Sequence, residues 1–215
     1  MAFKQVSYLL LVVLFLPLLF ESSVVVNGRL LLPNQAKPDR KDYVAYARWL
    51  ASQNSWGVLS TISTSMEGSP FANVVSYSDG VPGHGQGIPY FYLSTLDPTA
   101  RDIEKDHRAS FAVSEVPVGT CGSLDPEEPP CAKLTLTGKL YVVPNNTHEA
   151  DIAKDALFSK HPIMKWWPKN HNFQIYKLDI ENIFMINWYG GGKPITVEQY
   201  LQYAKMEKLA MTSFM

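Results

Sequence analysis

The 215-residue chain has no surplus of either charge, because 19 basic side chains stand against 20 acidic ones and the formal net charge is -1. Domains that bind nucleic acid through its phosphates usually carry a basic surplus, and so do proteins held to membranes by polybasic segments. The charge balance therefore argues against both classes. At 46% hydrophobic residues the chain is too apolar for a disordered protein. Its length predicts one domain or two small ones.

The sequence motifs of several enzyme classes are also missing. No Gly-x-Ser-x-Gly elbow of a serine hydrolase is present, and the five histidines do not show the spacing of metal ligands. No pair of carboxylates stands out, since the acidic residues from Asp125 to Glu128 lie among prolines and indicate a solvated loop. The sequence therefore predicts neither a catalytic residue nor a metal site.

The glycine-rich stretch Gly83-His84-Gly85-Gln86-Gly87 does not have the context of a phosphate-binding loop. Such a loop follows a strand and opens a helix, whose first N–H groups then bind the phosphate. Here the glycines lead into IPYFYLST, a β-rich run. A flexible hairpin loop is the better interpretation.

Apolar runs of membrane-spanning length are missing as well. The run from Leu9 to Phe20 has 12 residues and contains Pro17, whereas a helical span needs about 20. Lys4 precedes the run and small residues follow it, which is typical of a secretory signal peptide. We expect residues 1–28 to be that signal peptide, with a retained signal anchor as the alternative. No membrane span is expected after its cleavage.

Cysteine is scarce, with Cys121 and Cys131 as the only two. In a secreted chain this pair predicts one disulfide that closes a loop rich in proline and acidic residues, and two lone cysteines are a poor basis for a zinc site. Asn145-Asn146-Thr147 is the sole N-glycosylation sequon, with Asn145 as acceptor. These features predict a glycoprotein of the secretory pathway, located outside the cell or in a lysosome or vacuole.

The sequence contains many short β-rich runs. They are WGVLSTIS, FANVVSYS, IPYFYLST, ASFAVSEV, AKLTLTGKLYVV and two late runs at 173–180 and 183–189. Helices are predicted from Pro38 to Ser52, after Asp97-Pro98, from an N-x-x-E cap at Asn146 to His161, and after a T-x-x-Q box at Thr196. Long β-α-β alternation is missing, so the pattern predicts an α+β or barrel fold.

Several of these segments carry a family resemblance. The first strands and the segment TARDIEKDHRASF resemble the flavin-binding split-barrel superfamily that includes the pyridoxamine 5′-phosphate oxidases. Within it the chain is most similar to the CREG (cellular repressor) family of secreted glycoproteins, through FANVVSYSDGVPGHGQGIPYFYL, DIAKDALFSKHPIMKWWPKNHNF and NWYGGGKPITVEQY. The resemblance covers residues 38–204. With the expected signal peptide at 1–28, the chain then divides into an N-terminal segment at 29–37, a CREG-like domain at 38–204 and a tail at 205–215.

The resemblance implies a six-stranded antiparallel split β-barrel with peripheral helices, the FMN-binding split barrel of the α+β class. It further implies a homodimer, with a cleft between subunits where relatives hold FMN. The positions that match the FMN phosphate site are Ser94, Thr95, Thr99 and Arg101. From the residues alone, plain helix capping by Asp97 with a solvated Arg101 is the competing interpretation.

For function the resemblance implies a protein that has lost its flavin. The loop GTCGSLDPEEPPC is the candidate to fill the cleft, and no cofactor is expected. We therefore predict a non-catalytic dimeric glycoprotein that acts by binding a protein receptor or partner. An FMN-dependent oxidoreductase is the alternative, and tetrapyrrole binding is a third possibility, because haem-handling split barrels share a segment like ARDIEKDHRASF.

Four aromatic residues are candidates for a dimer or partner surface. They are Trp166, Trp167, Phe173 and Tyr189. Burial in the core is the competing expectation for each of them.

Overall fold

A computed structural model describes residues 25–26, 29–30 and 36–203 of the chain. The expected signal peptide, apart from Val25–Val26, and the expected tail at 205–215 lie outside the described residues. Val25–Val26 pairs with Arg29–Leu30 in a two-residue antiparallel ladder ahead of the main fold.

Six antiparallel strands close into one barrel, as the resemblance predicts. The strands are β1 (Trp56–Ile62), β2 (Pro70–Ser78), β3 (Tyr90–Ser94), β4 (Arg108–Ser114), β5 (Lys133–Val142) and β6 (Phe173–Ile186). Their order around the barrel is β1-β2-β3-β6-β5-β4, and β4 returns to β1. Closure gives every barrel strand a partner on both sides, although β2 and β3 pair only through Tyr77–Phe91 and Ser78–Tyr90.

Alternation of side chains places the core inside the barrel. Along β1 every second residue is buried, as expected for a strand with one face inward. Tyr77, Phe91 and Phe111 meet in the interior, with ring centroids 4.6 Å apart for Tyr77–Phe111 and 5.0 Å for Phe91–Phe111. Gly57 leaves room for this cluster, since a Cβ there would lie 2.5 Å from the Phe111 ring.

The two late β-rich runs form a single strand, so the prediction of two separate strands is wrong. The register between β5 and β6 shifts between Thr137 and Gly138, which pair with Asn182 and Ile180. Glu181 is the extra residue of this β-bulge. The bulge and its polar neighbours interrupt the apolar alternation, which is why the pattern indicated a break.

Three helices and one short C-terminal helix surround the barrel. They are α1 (Tyr43–Gln53), α2 (Pro98–Ile103), α3 (His148–Lys160) and α4 (residues 197–203), with 3-10 helices at Val116–Val118, Pro162–Trp166 and Lys169–His171. In the part of the chain that the structure describes, none of the helices has the length and apolarity needed to cross a bilayer.

The helix caps follow the sequence signals with one exception. Thr196 and Gln199 exchange side-chain hydrogen bonds with each other's backbone N–H, which confirms the predicted capping box. At α3 the prediction of an Asn146 cap is wrong, because Thr147 accepts the bond from Ala150 N. Asn146 has a positive φ of 62° and ends the preceding turn.

Helices α1 and α2 close the two ends of the barrel. At one end the Asn54 side chain, just after α1, donates to the carbonyl of Ser114 at the end of β4. At the other end the buried Asp102 carboxylate on α2 accepts from the hydroxyl groups of Thr61 and Thr64. The 14-residue strand β6 runs between these ends.

Candidate functional site

A cleft of about 420 Å³ lies on the outside of the barrel, beside α2. Strands β2 and β3 form its floor. One wall is formed by Trp167 and Pro168, which lie between the last two 3-10 helices, and by Phe173 at the start of β6. The surrounding residues are Val74, Val75, Ser76, Tyr92, Leu93, Ser94, Asp97, Trp167, Pro168 and Phe173. Because β3 and β6 are neighbours, residues far apart in sequence meet here.

An aromatic stack builds the wall of the cleft. The Tyr92 ring stacks on Phe173 with a centroid distance of 4.9 Å and on Trp167 at 5.9 Å, while Phe158 meets it edge-on at 5.5 Å. Burial raises the pKa of Tyr92. Trp167 and Phe173 are half-buried packing residues, and they present a flat apolar surface to the cleft.

Ser94 is the residue of the expected phosphate site that lies on this cleft. Its hydroxyl donates to the carbonyl of His171 at 2.7 Å and accepts from Leu96 N at 3.1 Å. The neighbouring Thr95 is bound to Asn172 through its backbone N–H. The hydroxyl of Ser94 is thus already engaged within the protein.

The other expected phosphate ligands belong to the start of α2. Thr99 is buried, and its hydroxyl accepts from Asn73 Nδ2 at 3.1 Å. Asp97 caps the helix by accepting from Thr99 N at 2.8 Å, and its carboxylate also accepts from Asn73. The Arg101 side chain is exposed. This arrangement is helix capping, and it places a carboxylate rather than a cation on the cleft.

The disulfide-closed loop starts at the opposite end of the barrel. Cys121 and Cys131 form the predicted disulfide, with 5.1 Å between their Cα atoms. The loop connects β4 to β5, and Lys133 pairs with Ile186 at the far end of β6, whereas Ser94 pairs with Phe173 at its start. At about 3.3 Å per residue these ends are roughly 40 Å apart along the strand. The base of the loop is therefore remote from Ser94 along β6.

A buried carboxylate, Glu115, fastens the base of that loop. It accepts from the Tyr46 hydroxyl at 2.7 Å, the Thr120 hydroxyl at 2.5 Å and Ala132 N at 3.2 Å, and it pairs with Lys37. Burial opposes its ionisation, but these bonds together lower the pKa of Glu115 below its ordinary value. The site is structural, and the sequence pattern did not indicate it.

A second buried polar cluster lies beneath the glycine-rich loop. Arg48 donates through Nη2 to the carbonyl of Gly85 at 2.5 Å, and its guanidinium lies over the Tyr200 ring at 5.1 Å. Lys160 Nζ lies 3.9 Å from Asp79 Oδ1, and both side chains are buried. These residues come from α1, α3, α4 and the loop, so the cluster ties four parts of the chain together.

The glycines of this loop explain the motif that the sequence shows. A Cβ on Gly85 would lie 2.4 Å from Asp79 Oδ2, and one on Gly87 would lie 1.6 Å from Arg48 Nη1. Gly87 also has a φ of +80°, a conformation that favours glycine. The spacing therefore reflects close packing on buried charges, and the loop leads into a strand as predicted.

Within the part of the chain that the structure describes, no group of three or more His, Cys, Asp or Glu side chains is placed to hold a metal ion.

Comparison with known proteins identifies the family. The sequence model of the family described as CREG, beta-barrel, matches residues 38–202. The chain belongs to the CREG family. Human CREG1 (Homo sapiens) is 41% identical over 167 residues, which cover 76% of this chain and 75% of that protein. The predicted family resemblance is confirmed.

Solved structures place the CREG barrel in a wider fold. A heme-binding protein from Mycobacterium smegmatis has 25% identity and a TM-score of 0.59, covering 72% of this chain but only 58% of that protein. A protein from Clostridium acetobutylicum, described as of the pyridoxinephosphate oxidase family, has 10% identity and a TM-score of 0.52, covering 74% and 98%. The second likeness concerns the fold alone. The split-barrel prediction is confirmed.

Proposed function

We propose that this CREG-family chain is a secreted or endolysosomal homodimeric glycoprotein that acts by binding a protein partner rather than by FMN-dependent catalysis. The observation that carries the proposal is the state of the expected phosphate ligands. Ser94 donates its hydroxyl to His171 O, Thr99 is buried and accepts from Asn73, Arg101 is exposed, and Asp97 lies on the cleft. An FMN phosphate would therefore meet a Ser94 hydroxyl that is already bonded and a carboxylate on the cleft, which supports the proposal.

Electrostatics adds to this support. A carboxylate about 4 Å from a phosphate charge costs on the order of 1 kcal/mol in water and more where solvent is excluded. Asp97 is held in place by two partners, so it cannot rotate away without losing the α2 cap. An anionic ligand would therefore meet a fixed negative charge in this cleft.

The secretory location draws support from two surface features. The Cys121–Cys131 disulfide is of a kind that persists in oxidising compartments. Asn145 is exposed in the turn before α3, where a glycan can project into solvent. Digestion of the secreted protein with an N-glycosidase should increase its gel mobility, and Asn145→Gln should have the mobility of the digested form from the start. An undigested wild type with that mobility would contradict the glycoprotein assignment.

The proposed dimer uses an uncharged outer face of the barrel. The strand register aligns one outward row of side chains, and a second uncharged row lies beside it. The first row is Val74, Val58, Ala112, Thr135 and Phe184, and the second is Ala72, Ser60, Ser110, Thr137 and Asn182. Val74 is 66% exposed and Phe184 is 50% exposed. Small and apolar side chains on a flat sheet let a second copy approach closely.

A charge on this face tests the dimer. Val74→Lys should give a monomer in sedimentation velocity, because pairing would bury two unpartnered ammonium groups. Val116→Lys is the matched control: Val116 is 42% exposed but lies in a 3-10 helix beyond β4, so this variant should remain dimeric. A monomeric wild type, or an unchanged Val74→Lys dimer, would show that the proposed face is wrong.

Ligand binding is tested with the purified, secreted protein. Its visible spectrum should show no flavin band, and titration with FMN should show no saturable quenching of flavin fluorescence. Saturable FMN binding that weakens in Arg101→Ala would overturn the non-catalytic proposal in favour of the oxidoreductase. Arg101→Ala should fold normally in either case, because its side chain is exposed.

Tetrapyrrole binding is the second candidate, supported by the likeness to the heme-binding protein at 25% identity. The flat aromatic wall of the cleft and the exposed His171 beside it are compatible with a planar ligand. Titration with haemin should then produce a Soret band that saturates at one haem per protomer and shifts in His171→Ala. A band that is identical in wild type and variant would exclude this use of the cleft.

A further inference from the structure

The first of the two 3-10 helices between α3 and β6 carries a pair of exposed apolar side chains. Trp166 is 81% exposed and Ile163 is 49% exposed. Both lie in the 3-10 helix Pro162–Trp166, where three residues make one turn, so residues 163 and 166 lie on the same face. The helix therefore presents an indole ring and a branched aliphatic side chain together to solvent.

The protein holds this face firmly in place. Met164 between them is buried, and the following Trp167 stacks on Tyr92. The backbone is bound at both ends, since Met164 N donates to His161 O and Trp167 N donates to Met164 O. Trp166 is thus exposed by the position of a fixed turn that is anchored by the buried Met164 and the stacked Trp167.

The charged side chains of this segment are lysines, while Asp97 lines the adjoining cleft together with Trp167 and Pro168. From Ala156 to Leu178 the sequence contains no aspartate or glutamate. Lys165 and Lys169 are exposed and have no ion-pair partner among the residues that the structure describes. The chain as a whole is close to neutral, so this local excess of positive charge is a property of the segment alone.

We propose that the segment Pro162–His171 is a contact surface for a membrane that contains anionic phospholipid. Tryptophan is enriched at the membrane–water interface, and lysines near an anionic leaflet are attracted to it. Two apolar side chains on a convex turn are too small for a standard protein–protein interface, which needs about 800 Å² on each partner. They suffice for a shallow insertion that the two lysines orient toward lipid headgroups.

The experiment is co-flotation of the mature glycosylated protein with lipid vesicles. Binding is expected to vesicles of phosphatidylcholine with phosphatidylserine, and it should be weak with phosphatidylcholine alone and decrease with added salt. Trp166→Ala should lower the partition coefficient about tenfold. The double variant Lys165→Gln/Lys169→Gln should lower it roughly thirtyfold on the anionic vesicles.

Trp188→Ala is the matched control. Trp188 is 40% exposed and lies after β6, where Arg40 sits over its ring at 3.8 Å. Its replacement should leave vesicle binding unchanged, and circular dichroism should show that all variants are folded. Equal binding by wild type and Trp166→Ala, or no binding to anionic vesicles, would overturn the proposal.

One other outcome identifies a different role for the segment. If Trp166→Ala alters the sedimentation coefficient but not vesicle binding, the face is a contact between protomers and the lipid proposal is wrong. The vesicle assay is independent of the Val74→Lys test and of the ligand titrations, so its failure leaves the proposed function in place.

Discussion

Lys160 Nζ lies 3.9 Å from Asp79 Oδ1, and both side chains are shielded from solvent. The same ammonium group donates to the carbonyl of Ser52 at 3.0 Å and lies over the Tyr77 ring at 5.0 Å. Burial lowers the pKa of Lys160, and the Asp79 charge opposes that shift. The pair joins α3 to the end of β2, and its partners come from α1 and the barrel interior.

Loss of the lysine charge should therefore destabilise the fold. Lys160→Met leaves the Asp79 carboxylate buried without its cation and should lower the free energy of unfolding by about 3 kcal/mol. The double variant Lys160→Met/Asp79→Asn should lose less than the sum of the single variants. Urea denaturation measures all three, with Lys154→Met, a half-exposed lysine of the same helix in a surface pair with Asp151, as a near-neutral control. Strict additivity would show that the two charges do not interact.

The Glu115 cluster predicts a dependence of stability on pH. Because the folded pKa of Glu115 is below the ordinary value of 4.5, its contribution is complete above pH 4.5 and is lost as the pH falls through the folded pKa. Glu115→Gln should cost about 2 kcal/mol at pH 7, and the gap to wild type should narrow below pH 4. Urea midpoints across this range test it, with the exposed Glu127→Gln as control. A gap that stays constant at all pH values would contradict the assigned ionisation.

The β-bulge predicts that position 138 tolerates no side chain. A Cβ on Gly138 would lie 1.9 Å from the backbone carbonyl oxygen of Asp179, an atom that can move only with its strand. Gly138→Ala should lower the free energy of unfolding by about 3 kcal/mol or prevent folding. Thr137→Ala, at the exposed neighbouring position, should cost less than about 1 kcal/mol. Thermal unfolding of the two variants gives the comparison, and similar melting temperatures would refute the assigned bulge.

We expect the disulfide to stabilise the fold moderately without being required for folding. For a loop of this length, closure contributes about 2–3 kcal/mol by the chain-entropy estimate. Cys121→Ser/Cys131→Ser should lose that amount and keep its circular dichroism spectrum, because Glu115 fastens the base of the loop independently. Reductant should destabilise wild type to the same extent and leave the double variant unaffected. A reductant effect on the variant would point to another cause.

Local signals predicted much of the fold because they act over a few residues. Asp97 before Pro98 predicted the start of α2, and Thr196 with Gln199 predicted the start of α4, since a cap depends only on its own turn. The bulge at Gly138 was not predictable in this way. It depends on which residue of β6 faces β5, and that register is set by the closed barrel.

The candidate site was less accessible to sequence reasoning. Ser94, Thr99 and Arg101 have side-chain types that suit a phosphate site, and their types do not reveal that Asn73 and His171 already use the hydroxyl groups. The partners come from β2 and from the turn before β6, and only the fold brings Asn73 to the start of α2 and His171 to the end of β3. Side-chain type therefore suggested the candidate residues, and only the fold shows which hydrogen-bond partners they have.

By itself the sequence determined the strand alternation, most helix caps, the one possible disulfide and the family, since each depends on local pattern or on overall similarity. Tertiary structure alone decided which charges are buried together and which surfaces are left without charge. Lys160 meets Asp79 across 81 positions, and Val58 aligns with Val74 and Ala112 only through the strand register. A net charge near zero therefore does not reveal two local features. One is the buried polar cluster beneath the glycine-rich loop, and the other is the stretch from 156 to 178, which has no acidic residues. The net charge is a sum over the chain, whereas pairing and exposure depend on position.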